Sequence, residues 1–259
     1  MPVSVKPLNP REYSVSIIIP CRNERGNIEA VVTRMPALSS CQELIFVEGH
    51  SGDGTYQEIE RVMSAHPEKD MQLFRQEGDG KGDAVRLGFA KAKGEILIIF
   101  DADVTVIPES LPEFYAALRD QRGEFVYGSR LALPMEKGAM PRLNFLGNTL
   151  SALFFSWLLS RRFTDTLCGV KAMFRADYQR LVEAAQDIMP LDPWGDFSLI
   201  LGAFQLNLRI LEIPVAYKSR QYGMSQIKRF QDTLRLLRLC VSAIWVLKFR
   251  GPRPLRSIL

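Results

Sequence analysis

The chain has 259 residues, 47% apolar and 24% charged, with a formal net charge of +4. Such a chain buries one good core and has ordinary globular composition, which excludes disordered, fibrous and collagen-like classes. Two histidines and four cysteines without CxxC spacing give little support to a zinc site, a Ser-His-Asp triad or a disulfide framework, and they fit free thiols in a reducing cytosol.

Met1–Tyr13 is polar and contains proline, unlike a secretory signal, and reads as an N-terminal extension. Ser14–Pro20 is an apolar run that predicts a buried strand, followed by a polar turn at Cys21–Glu24 and a helix over about Asn27–Met35. Leu44–Glu48 predicts a second strand, running into the glycine-rich loop Gly49–Thr55. The turn Gly78–Asp83 precedes a helix over about Ala84–Lys93. Ile96–Phe100 is a third buried strand, and Glu124–Gly128 a later one that should lie beside it. Strand and helix alternating in this rhythm predict βαβ units and a mostly parallel sheet. Leu143–Ser160 and Phe230–Phe249 are apolar stretches with basic flanks. In the second, Gln231, Arg235, Arg238 and Ser242 recur as one helical stripe. Both stretches fit helices lying at a membrane interface, or else core or dimer-contact helices. From residue 206 to 259 there are 11 lysines and arginines against 2 acids, so this segment suits phosphate ligands or an anionic membrane. No helix-turn-helix, zinc-finger or RNP pattern accompanies it, so nucleic acid is not expected as a partner.

The strongest chemical signal is Asp101-Ala102-Asp103 at the end of the third strand. Alternation along a strand would point both carboxylates to one side, at the sheet edge where ligands of open α/β sheets bind. Such a pair binds Mg²⁺ or Mn²⁺ only in part, and phosphate oxygens complete the shell. The reading is a metal-bound nucleotide diphosphate at Asp101 and Asp103; the alternative is a loop cap. Lys81 and Asp83, in a glycine-rich turn opening a helix, suit polar ligand contacts, although Asp83 also fits a helix cap.

SIIIPCRNE, FVEGHSGDGT, GKGDAVRLGFA and FDADVT, in this order, resemble a family-two glycosyltransferase with the GT-A fold. YGSRL, DTLCGVKAMFR and RQYGMS resemble the branch acting on dolichyl or polyprenyl phosphate with mannose or glucose donors. The loop at Glu48-Gly49-His50-Ser51 departs from that branch, as does Thr105, where a further metal-ligating Gln is common. The resemblance implies a GT-A α/β domain over residues 1–259, with a mixed, mostly parallel sheet, helices on both faces and a C-terminal amphipathic helix. It places Pro20, Arg22, Glu24, Glu48, Asp53, Lys81, Asp83, Asp101 and Ala102 around a GDP- or UDP-linked sugar. It places Arg130, Lys171, Arg220, Lys228 and Arg229 toward the acceptor, and Asp196 or Asp165 where a base would act. Arginine suits phosphate through its fork. A phosphate acceptor needs no strong base, whereas a hydroxyl acceptor does.

The expected function is therefore metal-dependent, inverting transfer of a hexose to a polyprenyl phosphate, by a cytoplasmic protein held peripherally at the membrane. The stereochemistry rests on the resemblance. Catalytic roles fall to Asp103, Asp196 and Arg130. The alternatives are the same donor chemistry on a polysaccharide or small-molecule hydroxyl, and a catalytically silent nucleotide-binding scaffold. A homo-oligomer stays open.

Overall fold

The structure is a computed structural model that describes residues 11–224 and 229–250. Seven strands form one sheet: β1 Val15–Cys21, β2 Gln42–Glu48, β3 Asp70–Arg75, β4 Ile96–Ile99, β5 Phe125–Ser129, β6 Lys171–Phe174 and β7 Ile210–Pro214. Their order is β3-β2-β1-β4-β6-β5-β7. Strands β1 to β4 pair in parallel, and β6 runs antiparallel to both β4 and β5. The fold is thus the mixed, mostly parallel α/β architecture expected. The prediction that the strand at Phe125 lies beside the Asp101 strand is corrected, because β6 sits between β4 and β5.

The apolar runs split by alternation. Ile17 and Ile19 of β1, Leu44 and Phe46 of β2, and Ile96 and Ile98 of β4 enter one core. Ile18, Ile45, Val47, Leu97 and Ile99 enter the other. Strands buried on both faces need apolar residues at every position, which is why these segments read as continuous runs. Helices α1 Ile28–Arg34, α2 Thr55–Ala65 and α4 Leu111–Arg119 cover the first face through Ile28, Val31, Ile59, Val62 and Phe114. Helices α3 Lys81–Lys91, α5 Arg142–Leu158, α6 Arg175–Ala184, α7 Asp196–Gln205 and α8 Arg229–Trp245 lie toward the second, through Phe89, Phe155, Leu181, Phe197 and Leu239. α3 begins at Lys81, earlier than expected, because Gly80 rather than Asp83 is its N-cap residue.

The carboxyl ends of β1, β2 and β4 share one edge of the sheet. Strand β1 lies between β2 and β4, so the loops after β1 and β4 diverge at this edge. This is the crevice in which open α/β sheets bind ligands. The two interface-helix candidates are α5 and α8, α8 continuing as a π-helical turn, Val246–Arg250. Both are only partly used by the core. α5 exposes Leu143, Leu146, Leu150, Leu153 and Trp157; α8 exposes Leu234, Leu237, Val241 and Trp245. Each set falls on one helical stripe. No helix among the described residues is long and apolar enough to cross a membrane.

Candidate active site

The loops after β1 and β2 brace each other. Asn23 N–H donates to Ser51 Oγ at 2.9 Å, Glu24 N–H to Thr55 Oγ1 at 2.9 Å, and Gly52 N–H to Asn23 Oδ1 at 2.9 Å. Asp53 accepts from Thr55 N–H at 3.0 Å and Arg25 N–H at 3.2 Å. Burial works against ionising Asp53, but these bonds, with those from the Thr55 and Tyr222 hydroxyls, bring its carboxyl below the ordinary range. Pro20 is the penultimate residue of β1, and Arg22 is exposed just beyond the strand.

Glu48 was expected at the donor, but the structure makes it a brace. It is 1% exposed, accepts from Ser51 N–H at 2.5 Å and pairs with Arg75 at 3.3 Å. A short loop after a buried strand leaves its backbone donors facing inward, and a carboxylate at the strand end satisfies them. Asp83, in the first turn of α3, ties down the loop before the helix rather than capping it: its Oδ2 accepts from Gly78 N–H at 3.1 Å and its Oδ1 faces Arg86 at 3.4 Å.

The expectation that Asp101 and Asp103 project from one strand face is also corrected. β4 ends at Ile99, and the chain turns through buried Ala102, with Val104 in the left-handed region at φ 53°. The two carboxylates consequently face different partners. Asp101 Oδ1 pairs with Lys81 Nζ at 2.5 Å. Burial raises the Asp101 pKa, yet Lys81, with help from Lys171 and Arg130, brings it below the ordinary range. Burial likewise opposes the Lys81 charge, and Asp101 and Asp196 outweigh it. Gly169 makes this pair fit: a Cβ there would lie 1.8 Å from Asp101 Oδ2 and 2.5 Å from Lys81 Nζ. Asp103 is held by both its oxygens. Oδ1 accepts from Thr105 N–H at 3.1 Å and Thr105 Oγ1 at 2.8 Å, and Oδ2 pairs with Arg220 Nη2 at 2.5 Å. Thr105, at the position where a Gln was considered, thus orients the carboxylate.

Arg220 Nη1 also pairs with Glu24 Oε1 at 2.6 Å. Burial lifts the Glu24 pKa above the ordinary value, and Arg220 and Asn27 offset only part of that. Arg220 was expected toward the acceptor; it sits on the carboxylates assigned to the donor and cation. The fork of Arg130, expected toward the acceptor, closes on Asp165, with Nε to Oδ2 at 2.7 Å and Nη2 to Oδ1 at 2.9 Å. Lys171 is fully buried, donates to the Cys168 carbonyl at 2.5 Å and pairs with Asp196 at the start of α7. It supports the Cys168–Gly169 turn, against which Asp101 packs. Asp196, assigned as a base, is held by that lysine. Burial lifts the Cys168 thiol to about 12, which keeps it neutral. Lys228 and the side chain of Arg229 lie outside the described residues.

Sequence reasoning missed Thr55, Gly169, Asp192 and Tyr222. Asp192 is 1% exposed and accepts from Gly195 N–H at 3.0 Å and Ser198 N–H at 2.8 Å, setting the turn that presents Asp196. A buried Asp before Pro-x-Gly was the available signal.

The donor set suits a hard cation. Asp103 and Glu24 already share one positive group, and among the described residues no three His, Cys, Asp or Glu side chains gather into a complete cage. Mg²⁺ typically takes one or two carboxylates and fills its shell with substrate phosphates and water.

Comparison with known proteins gives relatives in sequence and neighbours in fold. A dolichol-phosphate mannosyltransferase of Saccharomyces cerevisiae is 35% identical over 127 residues, 47% of this chain and 45% of that protein. Its counterpart in Pyrococcus furiosus is 27% identical over 223 residues, 83% of this chain and 59% of that protein. The chain spans only about half the length of these curated relatives. Glucosyl-3-phosphoglycerate synthase of Mycobacterium tuberculosis, solved with Mn²⁺, UDP-glucose and phosphoglyceric acid, superposes with a TM-score of 0.63 at 17% identity, over 88% of this chain and 80% of that one. The sequence model of glycosyl transferase family 2 matches residues 16–182, and with its loops gathered at the carboxyl edge of this sheet the chain belongs to that family.

Proposed function

We propose that the protein transfers a hexose from a nucleoside-diphosphate sugar to a lipid phosphate, working peripherally at the cytoplasmic surface of a membrane. The observation that carries this reading is the pairing of an acidic crevice with an exposed apolar face. The turn that follows α8 reaches α5, with Lys248 Nζ 4.3 Å from the centre of the Trp157 ring. Leu150, Leu153 and Trp157 on one helix and Leu237, Val241 and Trp245 on the other are each more than half exposed. Arg161, Arg162, Arg238 and Lys248 border this surface in the sequence. Apolar and aromatic side chains flanked by basic ones are the composition of an interfacial helix. α5 also touches the site's framework: Ser151 and Thr166 share a hydrogen bond of 2.8 Å, three residues before Gly169.

In this reading Asp103, oriented by Thr105, and Glu24 hold Mg²⁺ or Mn²⁺. The cation offsets the charge that develops on the leaving diphosphate. Asp53 faces the nucleoside, and Lys81 fixes Asp101 at the sugar end. A phosphate monoester is anionic at neutral pH and attacks without losing a proton to the protein; the inverting single displacement is what the family resemblance implies. The pairing of Asp196 with Lys171, and of Asp165 with Arg130, favours such an acceptor over a hydroxyl, which needs a free carboxylate as base. The test is incubation with GDP- and UDP-linked hexoses, Mn²⁺ and a polyprenyl phosphate. A glycolipid product supports the reading. Transfer to soluble hydroxyl acceptors, with none to the lipid phosphate, refutes it.

A further inference from the structure

Both oxygens of Asp103 are engaged. Thr105 holds Oδ1, and Arg220 holds Oδ2. The arginine arrives on a short strap that crosses the crevice. Its upstream end is fixed: Tyr217 bridges to Val106, Lys218 N–H donates to the Thr105 carbonyl at 2.8 Å, and Ser219 N–H to Glu136 at 2.7 Å. Beyond that, the strap touches the loops of all three donor-site strands. Arg220 joins Glu24 after β1 to Asp103 after β4. Tyr222 Oη donates to Asp53 Oδ2 after β2 at 3.3 Å. The Tyr222 ring lies flush on Gly26, where a Cβ would come within 2.4 Å of it. Gly223, at φ 76°, brings the chain so close to the Asn23 carbonyl that a Cβ would approach it to 2.9 Å.

The strap therefore reproduces a donor's contacts with the chain's own groups. A guanidinium lies where a cation would neutralise two carboxylates, and a phenol engages Asp53. Its seat is shallow, with Tyr222 37% and Met224 81% exposed. We propose that Ser219–Met224 is a counter-ion gate: cation and nucleotide enter by displacing Arg220 from Asp103 and Glu24 and Tyr222 from Asp53. This deepens the donor reading above and rests on it. A closed gate lowers apparent affinity by the fraction of molecules that are open.

The test measures binding. Mn²⁺ affinity is read by electron paramagnetic resonance, and Mn²⁺ with UDP or GDP by calorimetry, for the native chain, Arg220→Gln and Tyr222→Ala. A gate predicts about tenfold tighter binding in Arg220→Gln and a smaller gain in Tyr222→Ala. The second variant keeps the arginine's charge and alters an exposed side chain, so a gain there reports strap release rather than a change in local charge or a folding defect. Native binding with no gain in either variant, or weaker binding in Arg220→Gln, overturns the gate and leaves the donor reading intact. If no form binds Mn²⁺ with either nucleotide, the donor reading falls and the gate with it.

Discussion

Replacing Asp165 by Asn tests whether Arg130 serves the fold or the acceptor. Asp165 is fully buried and Arg130 is 13% exposed at its side chain. The carboxylate takes both arms of the guanidinium and also the N–H groups of Arg130 and Leu167, at 3.1 and 2.9 Å. Asn keeps the shape but an acceptor for only one of the two amides, which donate to different oxygens, and it leaves the guanidinium charge without its counter-ion. Breaking a buried pair from one side costs about 3–5 kcal/mol. At roughly 2–4 °C per kcal/mol for a domain near this size, the melting temperature should fall by about 6–20 °C. Adding Arg130→Met to Asp165→Asn removes the orphaned charge and should recover part of the loss. The effect has a pH signature. Burial raises the Asp165 pKa, but Arg130 and the two amides bring it below the ordinary range. A carboxyl depressed on folding stabilises above its unfolded pKa of about 3.9, and that stability disappears as pH falls through the lower folded value. The gap between native and Asp165→Asn should therefore be full at neutral pH and shrink below about pH 4. Thermal unfolding followed by circular dichroism from pH 3 to 8 measures it. A melting temperature unchanged in Asp165→Asn, or lower still in the double variant, would refute the structural reading of Arg130.

Asp103→Ala should lower glycosyl transfer by roughly a thousandfold, and excess EDTA should do the same to the native chain; full turnover in EDTA would sink the cation assignment. Gly169→Ala should separate Lys81 from Asp101, since a Cβ would lie 1.8 Å from the carboxylate. Calorimetry should then show weakened nucleotide-sugar binding with the far-ultraviolet dichroism retained. The native chain should float with vesicles containing anionic lipid and less so in high salt, each basic residue near the surface contributing about 1 kcal/mol. Leu150→Glu with Val241→Glu should abolish flotation; if the double variant instead only changes the oligomeric state, the apolar face is a contact between copies of the chain.

The sequence by itself determined the fold class, because a strand buried on both faces requires an uninterrupted apolar run, and Ile17–Ile19, Leu44–Val47 and Ile96–Ile99 carry one. It also located the polar edge, since Asn23–Glu24, Ser51–Thr55 and Asp101–Asp103 follow those runs directly. Its order could not disclose that β6 would insert between β4 and β5, because the β4–β6 pairing joins segments separated by more than 70 residues. Nor could it apportion the charges. Arg130 and Asp165, Lys171 and Asp196, and Arg220 with Glu24 and Asp103 are all distant in the chain. A basic residue in a motif looks the same whether it awaits a phosphate or neutralises a buried carboxylate. Burial decides between those roles, because an ion removed from water must find its partner within the fold. Only the tertiary structure brings those partners together.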